Sequence, residues 1–387
     1  MKKTVGSIQI ALLIAMLFFW GCNNPQGALT DADNQDQTDS EDKTPQNPEP
    51  VEPDTIEPDT FEWSGTQGKV VINGVKVLFR RTPQAMESAY FAGETYPAGL
   101  KTATNGVGKE QYRELLDIPA PLWAGETEVS YELWNAVVLW AVENGYSFAY
   151  AGQQGGNGND DTLVGNDQHP ATMMSWRDAV LFSNAVTEWY NAFADESLTP
   201  VYYEDAAYTT LVKTATASDV YNDMPGSTDN PYVKEDANGF RLPTISEWES
   251  LARYVGETDP GYGIDPSGSG LYWLPGFHAS GSPVETDDAA ETGQYAWYVL
   301  NAGDETHPVR KKKPNAAGLY DMSGNVWEMT FEQMPSQPQL PHARQILGGA
   351  WYSRYQDGDE IRTGYKGSGV YSYGPDREVG IRLFRSL

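Results

Sequence analysis

One cysteine limits every architecture open to this chain. Cys22 is the single cysteine in 387 residues, and it follows Lys2, Lys3 and an apolar run from Ile8 to Trp20 closed by Gly21. A membrane-spanning helix needs about 20 apolar residues, so the run reads as a secretory signal over residues 1–22 and not as part of the fold. The exported remainder then has no thiol for a disulfide, a soft-metal site or nucleophilic chemistry. Whatever folds downstream must be held by an apolar core, by hydrogen bonds and by any hard metal ion it takes.

The position of Cys22 resembles the lipobox of bacterial lipoproteins, where the sulfur carries a diacylglycerol, with Trp20 bulkier than that motif usually has. The alternative is an ordinary cleaved signal. Lipidation is the expectation, because each buried CH₂ contributes about 0.8 kcal/mol and two or three acyl chains together anchor a protein stably. Asn23 after the cysteine implies, by the same resemblance, the outer membrane and display at the cell surface. Residues 31–60 hold 11 acids and one base, with interspersed prolines and the repeat "EPDTIEPDT". Such a segment repels itself and buries too little apolar surface to fold, so residues 23–62 are expected to form a stalk. The formal charge of −28 argues against nucleic acid as a partner. The membrane is expected to be met through the lipid alone, by a monomer.

From Trp63 to residue 387 the chain turns aromatic and glycine-rich, and one domain is expected there. "KVVINGVKVLF" alternates apolar residues around Asn73-Gly74, a strong hairpin signal. Three helices are marked by their ends. Ser130 caps a run with Leu133, Trp134, Val137, Val138 and Ala141 on one face, ended near Gly145. A second starts near Ser175. The third carries a reciprocal capping box, Thr244 and Glu247, followed by Trp248, Leu251 and Ala252. The rest shows few periodic runs and no cue for a doubly wound parallel sheet, which predicts an α+β fold of short strands and long loops.

The tail is the second unusual feature. "WYSRYQDGDEIRTGYKGSGVYSY", residues 351–373, holds five tyrosines, four glycines and three serines. Tyrosine offers a large amphipathic contact for two χ angles, and Ser, Gly and Asp add adaptable hydrogen bonding, a mixture typical of binding loops. Tyr352, Ser353, Tyr355, Asp357, Asp359, Tyr365, Lys366, Ser368, Tyr371 and Tyr373 are the candidate contacts. The competing reading is a glycine-rich loop whose tyrosines pack inward.

Five blocks in order, "HPATMMSWRDAVLFSNAVTEW", "FRLPTISEWESLAR", "GLYDMSGNVWEMT", "GGAWY" and "GIRL", resemble the formylglycine-generating enzyme, or sulfatase-modifying factor, family. The resemblance implies a C-type-lectin-like fold with little regular structure. Within it, Trp327 and Trp351 read as buried anchors, Gly318, Gly324, Gly348 and Gly349 as positions of close approach, and Arg241 and Arg382 as partners in buried ion pairs. It also implies a calcium site of Asp321, the carbonyls of Gly324 and Val326, and Glu328. That oxygen set suits a hard cation, and the alternative is that the two acids bond loop amides. Met329 replaces the aromatic usual after the glutamate.

Formylglycine generation needs cysteines in the segment after the Gly-Gly-Trp block, and this chain has none there, so that activity and its copper are excluded. Iron is not expected either, since His169, His278, His307 and His342 lack metal-ligand spacing. The branch that remains resembles variable proteins diversified by retroelements, whose rewritten C-terminal segment lies between fixed framework blocks, here about 348–387. The resulting expectation is a non-enzymatic surface lipoprotein that binds a protein or glycan. An extracytoplasmic enzyme of the same superfamily working through carboxylates is the alternative.

Overall fold

Asn73 and Gly74 form the turn that the sequence requires of them. Both have positive φ, 52° and 83°, and Ile72 pairs directly with Val75 across them, as a two-residue hairpin demands. In the computed structural model, residues 59–99, 114–158, 166–334, 340–352 and 359–387 are described. Cys22 and residues 23–58 lie outside them, as do Ser353, Tyr355 and Asp357. The described residues belong to one unit, Thr55–Leu387.

Ten strands build the two larger sheets: β1 (Thr60–Ser64), β2 (Gln67–Ile72), β3 (Val75–Arg81), β4 (Leu122–Gly125), β5 (Phe240–Arg241), β6 (Trp327–Gln333), β7 (Ala343–Leu347), β8 (Val370–Tyr371), β9 (Val379–Gly380) and β10 (Phe384–Ser386). The first sheet has the order β1-β2-β3-β4-β10-β5 and is antiparallel throughout. The second has the order β8-β7-β6-β9, with β6 and β9 parallel. The last strand of the chain therefore completes the sheet begun by the first hairpin. That sheet starts at Thr60, ahead of the boundary expected at Trp63.

Five helices are present among the described residues: α1 (Gln84–Ala92), α2 (Tyr131–Glu143), α3 (Trp176–Phe193), α4 (Ile245–Arg253) and the short α5 (Ala289–Thr292). The hydroxyl of Ser130 accepts from the Leu133 amide at the start of α2. At α4 the Thr244 amide donates to Glu247 Oε2 at 2.8 Å and the Glu247 amide donates to Thr244 Oγ1 at 3.1 Å, the expected box. α3 carries a second box, Ser175 with Asp178, that the sequence reading did not register. It missed α1 altogether, because Pro83 at its start has no side chain able to accept from a helix amide, so none of the polar start signals is there.

The core is aromatic. Trp134, Trp176, Trp248, Trp273 and Trp351 are all less than 2% exposed. Their indole N–H groups need partners when buried, and three find them: Trp134 at the Ala151 carbonyl (2.7 Å), Trp176 at the Thr330 carbonyl (2.9 Å) and Trp248 at Glu328 (2.7 Å). Among the described residues helix is 19% and strand 27%, so more than half of them are loop and depend on such side-chain anchors for their course. This is the α+β, loop-rich class expected from the sequence.

Candidate functional site

The motif at residues 318–330 folds around Arg382. Its guanidinium is fully buried and grips Glu328, Nη2 donating to Oε1 at 2.6 Å and Nε to Oε2 at 2.9 Å. Nη1 donates to the Gly125 carbonyl (2.9 Å) and Nη2 to the Tyr320 carbonyl (2.8 Å), while Glu328 Oε2 also accepts from Trp248. Arg241 likewise pairs with Glu247 through two 2.7 Å bonds. Gly324 has φ 77°, and a Cβ there would overlap the Trp297 carbonyl, so the glycine is a steric requirement.

Two more carboxylates stand close to this pair. Glu128 accepts from Asn325 Nδ2 (2.7 Å) and from the Val326 amide (3.0 Å). Burial, with Asp321 and Glu328 nearby, pushes it well above the usual carboxylate range. Asp321 Oδ2 accepts from the Arg310 amide (2.7 Å), but its Oδ1 is buried without a hydrogen-bond partner. Burial pushes Asp321 up to about 6. An orphaned, buried carboxylate oxygen is expensive, and Asp321 therefore fits a hard cation. Glu328 fits less well, because Arg382 and Trp248 already occupy both of its oxygens. Among the described residues no three His, Cys, Asp or Glu side chains are arranged to hold a metal, so an ion here would rest on Asp321 and on main-chain oxygens such as those of Gly324 and Val326.

The described part of the tail mixes buried anchors with a few exposed side chains. Gly349, at φ 78°, would place a Cβ 2.7 Å from Ile361 and 2.8 Å from the Glu360 carbonyl, so the chain passes its own return here. Trp351 is buried and Tyr352 beside it is 43% exposed. Asp359 pairs with Arg362, and Lys366 reaches Glu249 at 3.5 Å. Tyr365 leans on Trp327, with ring centroids 6.2 Å apart. These three candidates serve the fold, whereas Ser368 is exposed.

The outward face gathers around Ser372, which was not a candidate. Its hydroxyl donates to Asp229 Oδ1 (2.7 Å), its amide to the His342 carbonyl (2.8 Å), and its carbonyl accepts from the Arg177 amide (3.1 Å). The strand ends at Tyr371, and in the turn that follows Ser372 is buried while Tyr371 is exposed and Tyr373 half-buried. Tyr371 and Tyr373 stack at 5.4 Å and 10°. His342 packs 4.9 Å from Tyr371, and Tyr221 lies 6.3 Å from His342. Beneath them Arg177 clamps Asp229 through Nε (2.7 Å) and Nη2 (2.6 Å). Burial pushes Asp229 up, but hydrogen bonds from Arg177, Asn222 and Ser372 outweigh it and hold the carboxyl below its ordinary value.

Residues 91–387 match the sulfatase-modifying factor enzyme 1-like domain. The chain belongs to that family. It is 30% identical over 237 residues to the chaperone protein LppX of Paenibacillus barcinonensis, a span covering 59% of this chain and 74% of that one. Its fold is shared with Treponema denticola variable protein 1 (23% identity, 84% of this chain and 100% of the other, TM-score 0.55). It is shared as well with CarF (24% identity, 76% and 97%, TM-score 0.54). The C-type-lectin-like, formylglycine-generating-enzyme type of fold is thereby established. Within this family member, the five residues of this face that sequence reasoning missed are Tyr221, His342, Arg177, Asp229 and Ser372. Tyr221 and Asp229 lie in a loop without periodicity, and only the fold brings them to the tail.

Glu328→Gln leaves Arg382 buried against a neutral partner. Losing one side of such a pair costs about 3–5 kcal/mol, measurable by urea denaturation. A loss below about 1 kcal/mol, the scale of an exposed pair, would show that Arg382 does not depend on that charge.

Proposed function

We propose that this protein is a non-enzymatic, surface-displayed lipoprotein whose C-terminal segment binds a macromolecular ligand, protein or glycan. The observation that carries the reading is the alternation at residues 371–373. Ser372 is locked inward on Asp229 and Arg177, so exposed Tyr371 and the half-buried Tyr373 stacked against it are held on a fixed backbone. A paratope gains affinity from such pre-ordering, because less conformational freedom is lost on binding. The absence of cysteine from the tail and the likeness to a variable protein support the same conclusion.

The carboxylate-enzyme reading has one foothold, a cavity of about 350 Å³ lined by Glu126 and Glu128 among others. Both acids are already engaged. Glu126 pairs with Arg80 (2.7 Å) and Arg310 (3.0 Å), and Glu128 holds Asn325 and the Val326 amide. Ion pairs and loop bonds of this kind organise a fold, which favours the binding reading for this region.

Diversification by a retroelement predicts that the DNA beside the gene carries a near-copy of the 348–387 segment, differing mainly where the copy has adenine. A neighbourhood with neither such a repeat nor a reverse transcriptase would sink that part of the proposal. Lipid attachment at Cys22 predicts that labelled palmitate enters the wild-type chain and not Cys22→Ala; equal labelling would place the lipid elsewhere or nowhere.

Calcium at Asp321 predicts a pH-dependent effect. The folded pKa of Asp321, about 6, lies above its unfolded value of about 3.9. Without calcium, its contribution to stability is therefore fully present below the unfolded value and is lost as pH rises through about 6. A bound cation compensates the ionised form. Calcium should accordingly raise the melting temperature more at neutral pH than at acid pH, and Asp321→Asn should abolish the difference. Identical melting with calcium or chelator at both pH values would exclude the site.

A further inference from the structure

The tail is only one side of the outward face. The other is the loop at residues 216–229, which the sequence motifs do not include. Arg177, whose side chain is 3% exposed, sends Nη1 to the carbonyls of Thr216 (2.8 Å) and Ser218 (2.7 Å) and Nη2 to that of Val220 (3.0 Å). Asp229 accepts from the Asn222 amide at 2.9 Å. The same Arg177–Asp229 pair that locks Ser372 of the tail therefore also fixes this loop. One buried ion pair holds the two walls in register.

What the loop shows to solvent is apolar and acidic. Val220 is 70% and Met224 66% exposed, among the most exposed large hydrophobic side chains described. Tyr221 sits between them, held by Gln333 (2.9 Å) and adjoining His342. Asp219 and Asp223 are exposed on either side, and no described cation pairs with either. Several of the loop's polar groups bond its own backbone. Ser218 Oγ accepts from the Val220 amide, Asn222 Oδ1 from the Met224 amide, and Ser227 Oγ donates to the Asn222 carbonyl. The polar groups left free are the two carboxylates, whose charge favours a cationic partner over a neutral sugar.

We propose that the 218–224 loop is the second half of the ligand-binding face, and that the face takes a protein whose contact patch has an apolar anchor ringed by lysines or arginines. The proposal rests on the binding role assigned to the tail. Exposed Val220 and Met224 flank Tyr221 in the loop, and Tyr221 joins the Tyr371–Tyr373 stack through His342; these apolar groups are met best by an inserted aliphatic or aromatic side chain. Asp219 and Asp223 supply a negative rim, which favours a basic partner and makes association weaken with salt. The loop is already ordered by Arg177, so its apolar groups are displayed without further ordering on binding.

The test uses the full chain against short random peptides displayed on yeast, with a glycan array in parallel. Enriched peptides are expected to combine an aliphatic or aromatic residue with flanking Lys or Arg, and to bind more weakly as salt rises. Binding should fall by about tenfold or more, the loss typical of a removed central contact, in Val220→Ser/Met224→Ser and in Tyr371→Ser. It should fall several-fold in Asp219→Asn/Asp223→Asn. All of these side chains are exposed, and unchanged melting temperatures confirm intact folding. Loss in Tyr371→Ser with full binding in the loop variants overturns the loop's role and leaves the tail's role standing. Full binding in every variant overturns both. Enriched peptides without basic residues, or binding indifferent to salt, overturn the partner's chemistry. Failure to enrich any peptide overturns the proposal, and array binding abolished by Tyr371→Ser would then reassign the face to a glycan.

Discussion

The fold depends on the ion pair between Arg382 and Glu328. Three residues, Ile381, Arg382 and Leu383, carry the chain from β9 in the four-stranded sheet to β10 in the six-stranded one, and Arg382 is the middle one. Its partner is on β6, its other donors reach the Gly125 carbonyl at the end of β4 and the Tyr320 carbonyl in the motif loop, and Glu328 in turn holds the Trp248 indole on α4. A buried pair of this kind contributes little net energy over an apolar substitute, because desolvation consumes most of the attraction. It does impose position. Every misplacement of the two sheets would leave a guanidinium or a carboxylate unpaired in the core.

A second buried pair repeats the device nearer the surface. Arg177 and Asp229 tie the N-terminal turn of α3, the 216–229 loop and the tail strand to one point. The consequence is a division of labour along the tail. Ser372, Gly349 and Trp351 are constrained by contacts on several sides, while Tyr371, Tyr352 and Ser368 are exposed and have little of the fold resting on them. Side chains of the second kind can change identity with little effect on stability. A segment organised in this way tolerates rewriting at its outward positions as long as its inward ones are kept.

Local features were legible wherever they are written in neighbouring residues. Asn73-Gly74, Ser130, Thr244 with Glu247 and the apolar faces behind them depend on backbone dihedrals and on bonds spanning three or four residues, and each was placed as read. Helix α1 escaped because Pro83 leaves it without a polar cap. The metal set was legible as a list of oxygens, yet Glu328 is bound by an arginine 54 positions further along, which no local pattern could announce. Likewise Lys366 and Asp359 looked like contact residues by type, and Glu249 and Arg362 claim them within the fold.

The sequence by itself determined the class of protein: the placement of the only cysteine, the acidic segment after it, the glycine and tryptophan blocks of the family, and the want of thiols where the family's chemistry would need them. These are one-dimensional facts, and composition and order are enough to state them. Which tyrosines face outward, and that Tyr221 and His342 join them, was decided only by tertiary structure. The reason is physical: exposure belongs to the packed assembly, and Arg177, Asp229 and Ser372 acquire their common role only when three segments distant in sequence are buried against one another.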